Sequence, residues 1–373
     1  MIECIITVVL ASCYFTLQLF YLIHWLRTPD ITVPDSFTPT LAVTVIVVAH
    51  NEEDSIGRCI DSILKQNYPT PLMEIIIVND RSEDKTVEIL DRFSGPNLTL
   101  LHLHEHPEFI HLTAYKKSAI ELAVHHARKD WMVMTDADCV LQPDWLRTIA
   151  FHKTNNDPVF ITSPVILNSN HSLLQKMQLM ENLTFMIVTA AGIRSMLHDI
   201  ANGANMSFSK TAFEHVKGYG GNYQYASGDD MFLIEKMRFA FPDQIGFIKS
   251  MTAVATTEPK LTWASLLRQR IRWAYKNKGL KSARIQVIWG FVGFYYLVMA
   301  GLLLIPLFSK VSFIPFMIML FVKWIADAMV VNTASRFFGK RFSIVEFVLL
   351  QFVYGYYLVR LGMEMMIRKK GDW

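Results

Sequence analysis

Five short elements of this 373-residue chain carry residues whose types and spacing point to chemistry: Asn51-Glu52-Glu53, Asp80, Asp136-Ala137-Asp138, Asp229-Asp230 and Gln269-x-x-Arg272-Trp273. Two carboxylates two residues apart repel unless they find hydrogen-bond donors or share a cation. A divalent metal with oxygen ligands supplies both neutralisation and a bridge to a diphosphate. Asp229-Asp230 follows a Gly/Tyr/Asn-rich loop, Gly218 to Gly228, and opens a helical stretch, Met231 to Phe241. One acid at a helix N-terminus satisfies the dipole; a second beside it faces a cleft, where a general base would sit. Gln269 and Arg272 offer an amide and a guanidinium for phosphate oxygens, and Trp273 an indole face for a sugar. They lie within Lys260 to Arg284, a segment with eight Lys/Arg and no acid. Its plainer reading is an interfacial helix that turns Trp263, Leu266, Leu267, Ile271 and Trp273 toward apolar surroundings.

These residues need elements to gather them. Val43 to Val48 is a buried-strand run, followed by a polar turn and the helical stretch Ser55 to Gln66. Glu74 to Val78 is a second strand, with Ser82 the expected N-cap of the next helix. Leu98 to Leu103, a helix over Thr113 to Ala127, and Trp131 to Thr135 continue the alternation. Alternating strands and helices predict a parallel sheet covered by helices, with ligands beyond the carboxyl ends of its strands. Asn51, Glu52, Asp80, Asp136 and Asp138 all directly follow strands, so they are expected on one rim. Asp80 taken alone reads as an ordinary helix cap. Asp136 to Val140 also fits the D-x-D-x-[TV] pattern of haloacid-dehalogenase-like phosphatases. That chemistry needs a later G-D-x-x-D/N, and Gly228-Asp229-Asp230-Met231-Phe232 lacks the final acid or amide.

Composition sets the surroundings. Only 18% of residues are charged, against about 25% in typical soluble proteins, and mean hydropathy is +0.26. The deficit concentrates at the two ends, which excludes a disordered, fibrous or fully soluble chain. A net charge of +3 makes no case for nucleic acid. The four cysteines (Cys4, Cys13, Cys59, Cys139) show no C-x-x-C pairing and fit a reduced, cytosol-facing domain. Ile5 to Trp25 is 21 residues without a formal charge, long enough to cross about 30 Å of hydrocarbon. It reads as a signal anchor with the N-terminus outside, marked by Trp25 and Arg27. Ile285 to Phe308, Val311 to Val331 and Ile344 to Met363 are three further candidate spans. Lys323 and Asp327 share one face of the second of these and can neutralise each other inside a bundle, a lipid head group being the alternative partner. The loop Arg336 to Arg341 is basic and expected to be cytoplasmic, yet three crossings would leave Arg368-Lys369-Lys370 outside, against the positive-inside rule. The expected organisation is an anchor over 1–27, a catalytic domain over 41–258, an interfacial amphipathic helix over 259–284, and C-terminal membrane helices over 285–367.

In this order the motifs resemble family 2 glycosyltransferases, most of all the membrane-embedded branch that includes cellulose, hyaluronan and poly-N-acetylglucosamine synthases and ceramide glucosyltransferase. The likeness runs from about residue 41 to 275. It implies an α/β fold of the GT-A, Rossmann-like type and an inverting transfer from a nucleotide-diphosphate sugar. By the same resemblance Asp80 would bind the nucleobase, with Asn51 and Glu52 beside the nucleoside. Lys116 or Lys117 would contact the nucleotide, Asp136 the ribose-diphosphate portion, and Asp138 the Mg²⁺ or Mn²⁺. Asp230 would be the general base, Gln269 and Arg272 the diphosphate holders, and Trp273, Asp229 and Asn202 the acceptor side. Two departures touch nucleotide recognition: Val48 stands for the usual proline, and Asn79-Asp80-Arg81-Ser82 for the usual Asp-Asp-Gly-Ser. These departures leave the base, uracil or guanine, less fixed than the reaction; of the two donors a UDP-sugar is expected ahead of a GDP-sugar. The expected acceptor is a lipid or lipid-linked glycan, reached from the cytosolic face of the inner membrane. Single transfer is favoured over processive synthesis and export because about three C-terminal helices leave little material for a channel. An inactive scaffold is disfavoured because each acidic and QxxRW position is filled.

Overall fold

Six of the seven residues of β1 (Val43–Ala49) are β-branched, and almost all are buried, which suits a strand covered on both faces. It pairs in parallel with β2 (Met73–Asn79) on one side and β4 (Trp131–Asp136) on the other, and β3 (Leu98–His102) extends the sheet beyond β2. The computed structural model describes residues 2–111, 113–168, 172–276, 279–304, 306 and 312–367.

The sheet is not parallel throughout, as the alternation implied. Its order is β3-β2-β1-β4-β8-β6-β9, where β8 is Met206–Ser209, β6 Phe160–Thr162 and β9 Ile245–Phe247. β8 runs antiparallel to both β4 and β6. The reason is local. The chain enters β8 from a turn at 202–205, beside the carboxyl end of β4, so it must run back along that strand. A three-stranded sheet, β5 (Val140–Leu141), β10 (Ala255–Thr257) and β7 (Val165–Leu167), lies after the Asp136–Asp138 corner.

The helices of this part are α2 (Ile56–Leu64), α3 (Thr86–Leu90), α4 (Tyr115–His126), α5 (Trp145–Asn156), the first part of α6 (Leu173–Ser195), α7 (Lys210–His215), α8 (Asp229–Ala240) and α9 (Trp263–Lys276). Ser82 does not cap α3: its hydroxyl accepts the Asn51 N–H at 3.1 Å, and Asp84 takes the Thr86 N–H at 2.9 Å. Ile56, Cys59, Ile60 and Ile63 of α2 join Trp131, Trp145 and the strand residues in one apolar core. On α9, Leu266, Leu267 and Ile271 are buried within the protein, so they are not a lipid-facing stripe.

Glu74 is a buried carboxylate in this core. Burial by itself would raise its pKa. The Thr44 hydroxyl (2.7 Å), the Arg128 N–H (2.8 Å) and the Arg128 guanidinium (2.6 Å) reverse that and lower it. A carboxylate whose folded-state pKa is depressed adds stability above its unfolded pKa, which is lost as pH falls through the folded value. Glu74→Gln is therefore expected to cost about 1–2 kcal/mol at pH 7. Thermal melts should show the gap to the wild type closing on acidification below the ordinary carboxylate range; a gap independent of pH contradicts the argument.

The chain divides into two compact units, Pro29–Asn182, Asp199–Leu280 and Val359–Trp373 forming the one just described. The other comprises Met1–Thr28, Leu183–His198 and Lys281–Leu358. It contains α1 (Ile2–Arg27), α10 (Ala283–Leu304), α11 (Ile314–Phe337) and α12 (Ile344–Ile367) as far as Leu358. Ile5–Arg27, Ala283–Leu304, Ile314–Phe337 and Ile344–Met365 are each long and apolar enough to cross a membrane. The end of the span expected to reach Phe308, and Arg368-Lys369-Lys370, lie outside the described residues. Tyr14 of α1 stacks on Tyr295 of α10 at 4.5 Å, within a cluster that includes Ala11, Met319 and Ala326. Lys323 and Asp327 do pair within the bundle, at 2.5 Å.

Candidate active site

Strand register builds the rim. Ala49 lies opposite Asn79 and Val48 opposite Asp136, so β1, β2 and β4 end together. The residues after them are laced by short bonds. The Asp80 N–H donates to the Ala49 carbonyl at 2.8 Å, and His50 Nδ1 lies 2.6 Å from the Asp80 carbonyl. Asn51 adopts a left-handed backbone, φ +54°, and its side-chain oxygen accepts the Glu83 N–H at 2.8 Å. Asn51 thus ties the two loops together as a wall of the rim. Glu52 turns inward, held by the Ser55 hydroxyl at 2.7 Å. Burial raises its carboxyl pKa; Ser55 opposes this, and the charges of Asp138 and Asp136 raise it further. Lys260 faces the same carboxyl and lowers it. The Lys260 backbone is clamped by buried Gln178, which accepts its N–H at 2.9 Å and donates to its carbonyl at 2.8 Å.

Lys116, near the start of α4, joins an acid at the end of β4 to one in the first turn of α8. Its ammonium lies 2.6 Å from Asp136 Oδ1 and 3.4 Å from Asp229 Oδ2. Burial would lower its pKa, but those two carboxylates more than reverse the effect and keep it protonated. The Asp136 carboxyl is raised by burial, against Lys116 and with Asp138. The turn at 202–205 closes on this group. Asn202 shapes it, its side-chain oxygen accepting the Ala204 N–H at 3.1 Å and its carbonyl the Asn205 N–H at 3.0 Å. A Cβ at Gly203 would sit 2.8 Å from Asp229 Oδ2, so glycine permits the approach. Asn205, fully buried, anchors the turn to the carbonyls of Pro164 and Ala253 and to the Trp145 indole N–H.

Lys117 is a correction to the nucleotide-binding expectation. One position further round α4, its ammonium is buried and donates to the carbonyls of Asn222, Tyr225 and Ser227. It shapes the glycine-rich loop instead of meeting a nucleotide. That loop ends at Gly228, φ +89°, and Asp229 and Asp230 form the first turn of α8, two residues earlier than expected. Asp229 is buried against Lys116. Asp230 is half-buried, and its Oδ1 accepts the Met231 N–H at 2.7 Å.

Gln269, Arg272 and Trp273 lie on α9, which meets the same loop: the Ser227 hydroxyl donates to the Arg272 carbonyl at 3.5 Å. The Arg272 guanidinium is exposed, and Trp273 lies under Arg270, 4.3 Å from the guanidinium to the ring centre. Arg270 also pairs with Glu181. Among the described residues no hydrogen bond or ion pair joins Gln269 or Arg272 to Asp80, Asp136 or Asp138. The strand-end acids, Lys116, Asp229 and the 202–205 turn are therefore assembled directly, while the QxxRW helix borders the loop leading to Asp229-Asp230. Lys260, Arg81 and Tyr115 were not among the expected site residues; the departure at Asn79-Asp80-Arg81-Ser82 and the acid-free segment that begins at Lys260 marked two of them.

Comparison with known proteins identifies the family. The family described as Glycosyl transferase family 2 matches residues 44–216, and Glycosyl transferase family group 2 matches residues 131–327, over half of the chain. The probable glycosyltransferase YdaM of Bacillus subtilis (strain 168) is 26% identical over 251 residues, 63% of this chain and 55% of its own length. Glucosyl-dolichyl phosphate glucuronosyltransferase of Haloferax volcanii is 24% identical over 189 residues, 49% of this chain and 57% of its own. The chain thus spans little more than half the length of these curated relatives. The mannosyltransferase PcManGT from Pyrobaculum calidifontis, solved with GDP-Man and Mn²⁺, superposes with a TM-score of 0.56 at 19% identity, covering 99% of this chain and 100% of that one. The chain belongs to the family 2 glycosyltransferases and has their GT-A fold.

Proposed function

We propose that this protein transfers a hexosyl group, with inversion, from a nucleotide-diphosphate sugar to a lipid or lipid-linked glycan at a membrane. The observation that carries the reading is the ammonium of Lys116 shared between Asp136 and Asp229, which draws strand-end acids and the α8 acids to one place. In this reading Asp80 holds the nucleobase, Asp136 and Lys116 the ribose-diphosphate portion, and Gln269 and Arg272 close over the diphosphate from α9. Asp230 takes the proton of the acceptor hydroxyl as that oxygen attacks the face opposite the leaving group. Arg272 is the exposed cation that meets charge developing on the departing diphosphate. Trp273 and Asn202 border the acceptor. The four apolar helices support an integral membrane protein, with the catalytic unit on the cytosolic face of the inner membrane. The name of the Haloferax relative supports a lipid-linked acceptor. A uridine donor is placed ahead of a guanosine one.

The donor set fits a divalent cation. Glu52, Asp136 and Asp138 stand close together: burial raises the Glu52 carboxyl first, and the charges of Asp138 and Asp136 raise it further, yet among the described residues no three His, Cys, Asp or Glu are arranged to hold a metal alone. That matches Mg²⁺ or Mn²⁺, which take one or two carboxylates and complete their shell with substrate phosphates and water. Asp138 is the proposed ligand; such an ion supplies charge neutralisation on the diphosphate. The test is a nucleotide-sugar screen on the full chain in detergent, with membrane lipid extract as acceptor and released nucleoside diphosphate as readout. One donor is expected to stand out and yield a single product band. Mn²⁺ binding, read by calorimetry, is expected to tighten by at least about tenfold when the matching nucleoside diphosphate is present. No turnover with any donor overturns the function, and equally tight metal binding without nucleotide overturns the shared coordination.

A further inference from the structure

Arg81 holds a backbone conformation that glycine adopts freely and a long side chain does not, φ +54°. What the strained backbone achieves is visible in the side chain. Nε donates to Asp80 Oδ1 at 2.9 Å, and the guanidinium carbon lies 3.4 Å from the centre of the Tyr115 ring. The Arg81 side chain is 40% exposed, while that of Asp80 is 10% exposed, so the pair presents a cation edge over a largely covered carboxylate. Asp80 is pinned at both its N–H and its carbonyl, to Ala49 and His50. Tyr115 directly precedes Lys116, whose ammonium holds Asp136. The layer therefore lies at the nucleoside end of the proposed donor site.

The geometry points to Arg81 as a residue that selects the nucleobase. Asp80 accepts the ring N–H of the base, and the Arg81 guanidinium, held over the Tyr115 ring, donates to the carbonyl oxygen beside it. This rests on the donor-nucleotide reading above. The pairing fits an edge that presents N–H next to C=O, as uracil and guanine do. Cytosine and adenine present a ring-nitrogen acceptor next to an amino donor, which sets acceptor against carboxylate and donor against guanidinium. The substrate class is thus a uridine or guanosine diphosphate sugar, with cytidine and adenosine donors rejected.

The experiment titrates the full chain in detergent with UDP, GDP, CDP and ADP, each with Mn²⁺, and records Tm alongside. The wild type is expected to bind UDP or GDP at least about tenfold more tightly than CDP and ADP, the scale of a charge-assisted hydrogen bond. Arg81→Gly should lose most of that affinity and preference while keeping or raising Tm, because glycine relieves the backbone. Arg81→Lys, which keeps the charge without the planar fork, should recover only part. If Arg81→Gly retains both affinity and preference, the inference fails and the donor reading stands. If the wild type binds none of the four, both fail. A lowered Tm in Arg81→Gly with equal weakening toward all four nucleotides makes Arg81 a mere support for Asp80 and overturns the inference.

Discussion

Asp230→Asn is expected to bind the donor nucleotide normally and to transfer sugar about 10²–10⁴-fold more slowly, the range supplied by a positioned general base. The substitution is nearly isosteric. An asparagine oxygen can still accept the Met231 N–H that holds Asp230 Oδ1 at 2.7 Å, so the first turn of α8 should survive. What disappears is a basic oxygen able to take a proton. An interaction realised only in the transition state lowers kcat and kcat/KM together, so KM for the donor should hold while both fall. Asp229→Asn makes the contrast. Asp229 is buried and paired with Lys116, and its loss shifts the balance of charge on the ammonium that also holds Asp136. Donor affinity should therefore fall in that variant. Normal turnover by Asp230→Asn with dead Asp229→Asn would move the base to Asp229.

That the two acids differ this way was not visible in the Asp-Asp dipeptide, because adjacent helical positions point about 100° apart and only packing decides which faces inward. Lys116 and Lys117 pose the same ambiguity. One reaches Asp136 and the other a cage of three carbonyls, and nothing in Lys-Lys separates them. The strand-end acids were legible for the opposite reason. Val43 to Val48, interrupted only by Thr44, and Ile75 to Val78 are apolar β-branched runs, and in a sheet of parallel strands whatever follows them must collect on one edge. β8 was illegible because Met-Ser-Phe-Ser is four residues long with no run to mark it, and its antiparallel direction depends on the 202–205 turn. Arg81 and Tyr115 meet across 34 positions of sequence with no periodicity linking them. The amphipathic reading of α9 identified the buried Leu266, Leu267 and Ile271 but assigned them to lipid, since a helical stripe does not declare what covers it.

The helical unit offers the second large effect. Lys323 is almost wholly buried, and its ammonium donates to Asp327 Oδ2 at 2.5 Å and Gln351 Oε1 at 2.6 Å. Tyr14 donates to the other Asp327 oxygen at 2.8 Å, and the Tyr296 ring lies 5.4 Å from the ammonium. Every partner comes from a different part of the bundle, so α1, α11 and α12 meet through one charge pair. Removing one member of such a pair leaves the other buried without compensation, at a cost of about 3–5 kcal/mol. Replacing both by apolar groups of similar volume is often neutral or stabilising. Asp327→Ala is therefore expected to destabilise the bundle by roughly that amount, or somewhat less because a membrane-bound unfolded chain finds other polar partners. Lys323→Leu combined with Asp327→Leu should recover most of the loss. Denaturation in mixed micelles, followed by Tyr and Trp fluorescence, measures both. A double variant at least as unstable as Asp327→Ala would mean that the pair contributes attraction beyond its own desolvation, and that the polar layer, not apolar packing around Tyr14, Tyr295 and Met319, holds these helices in register.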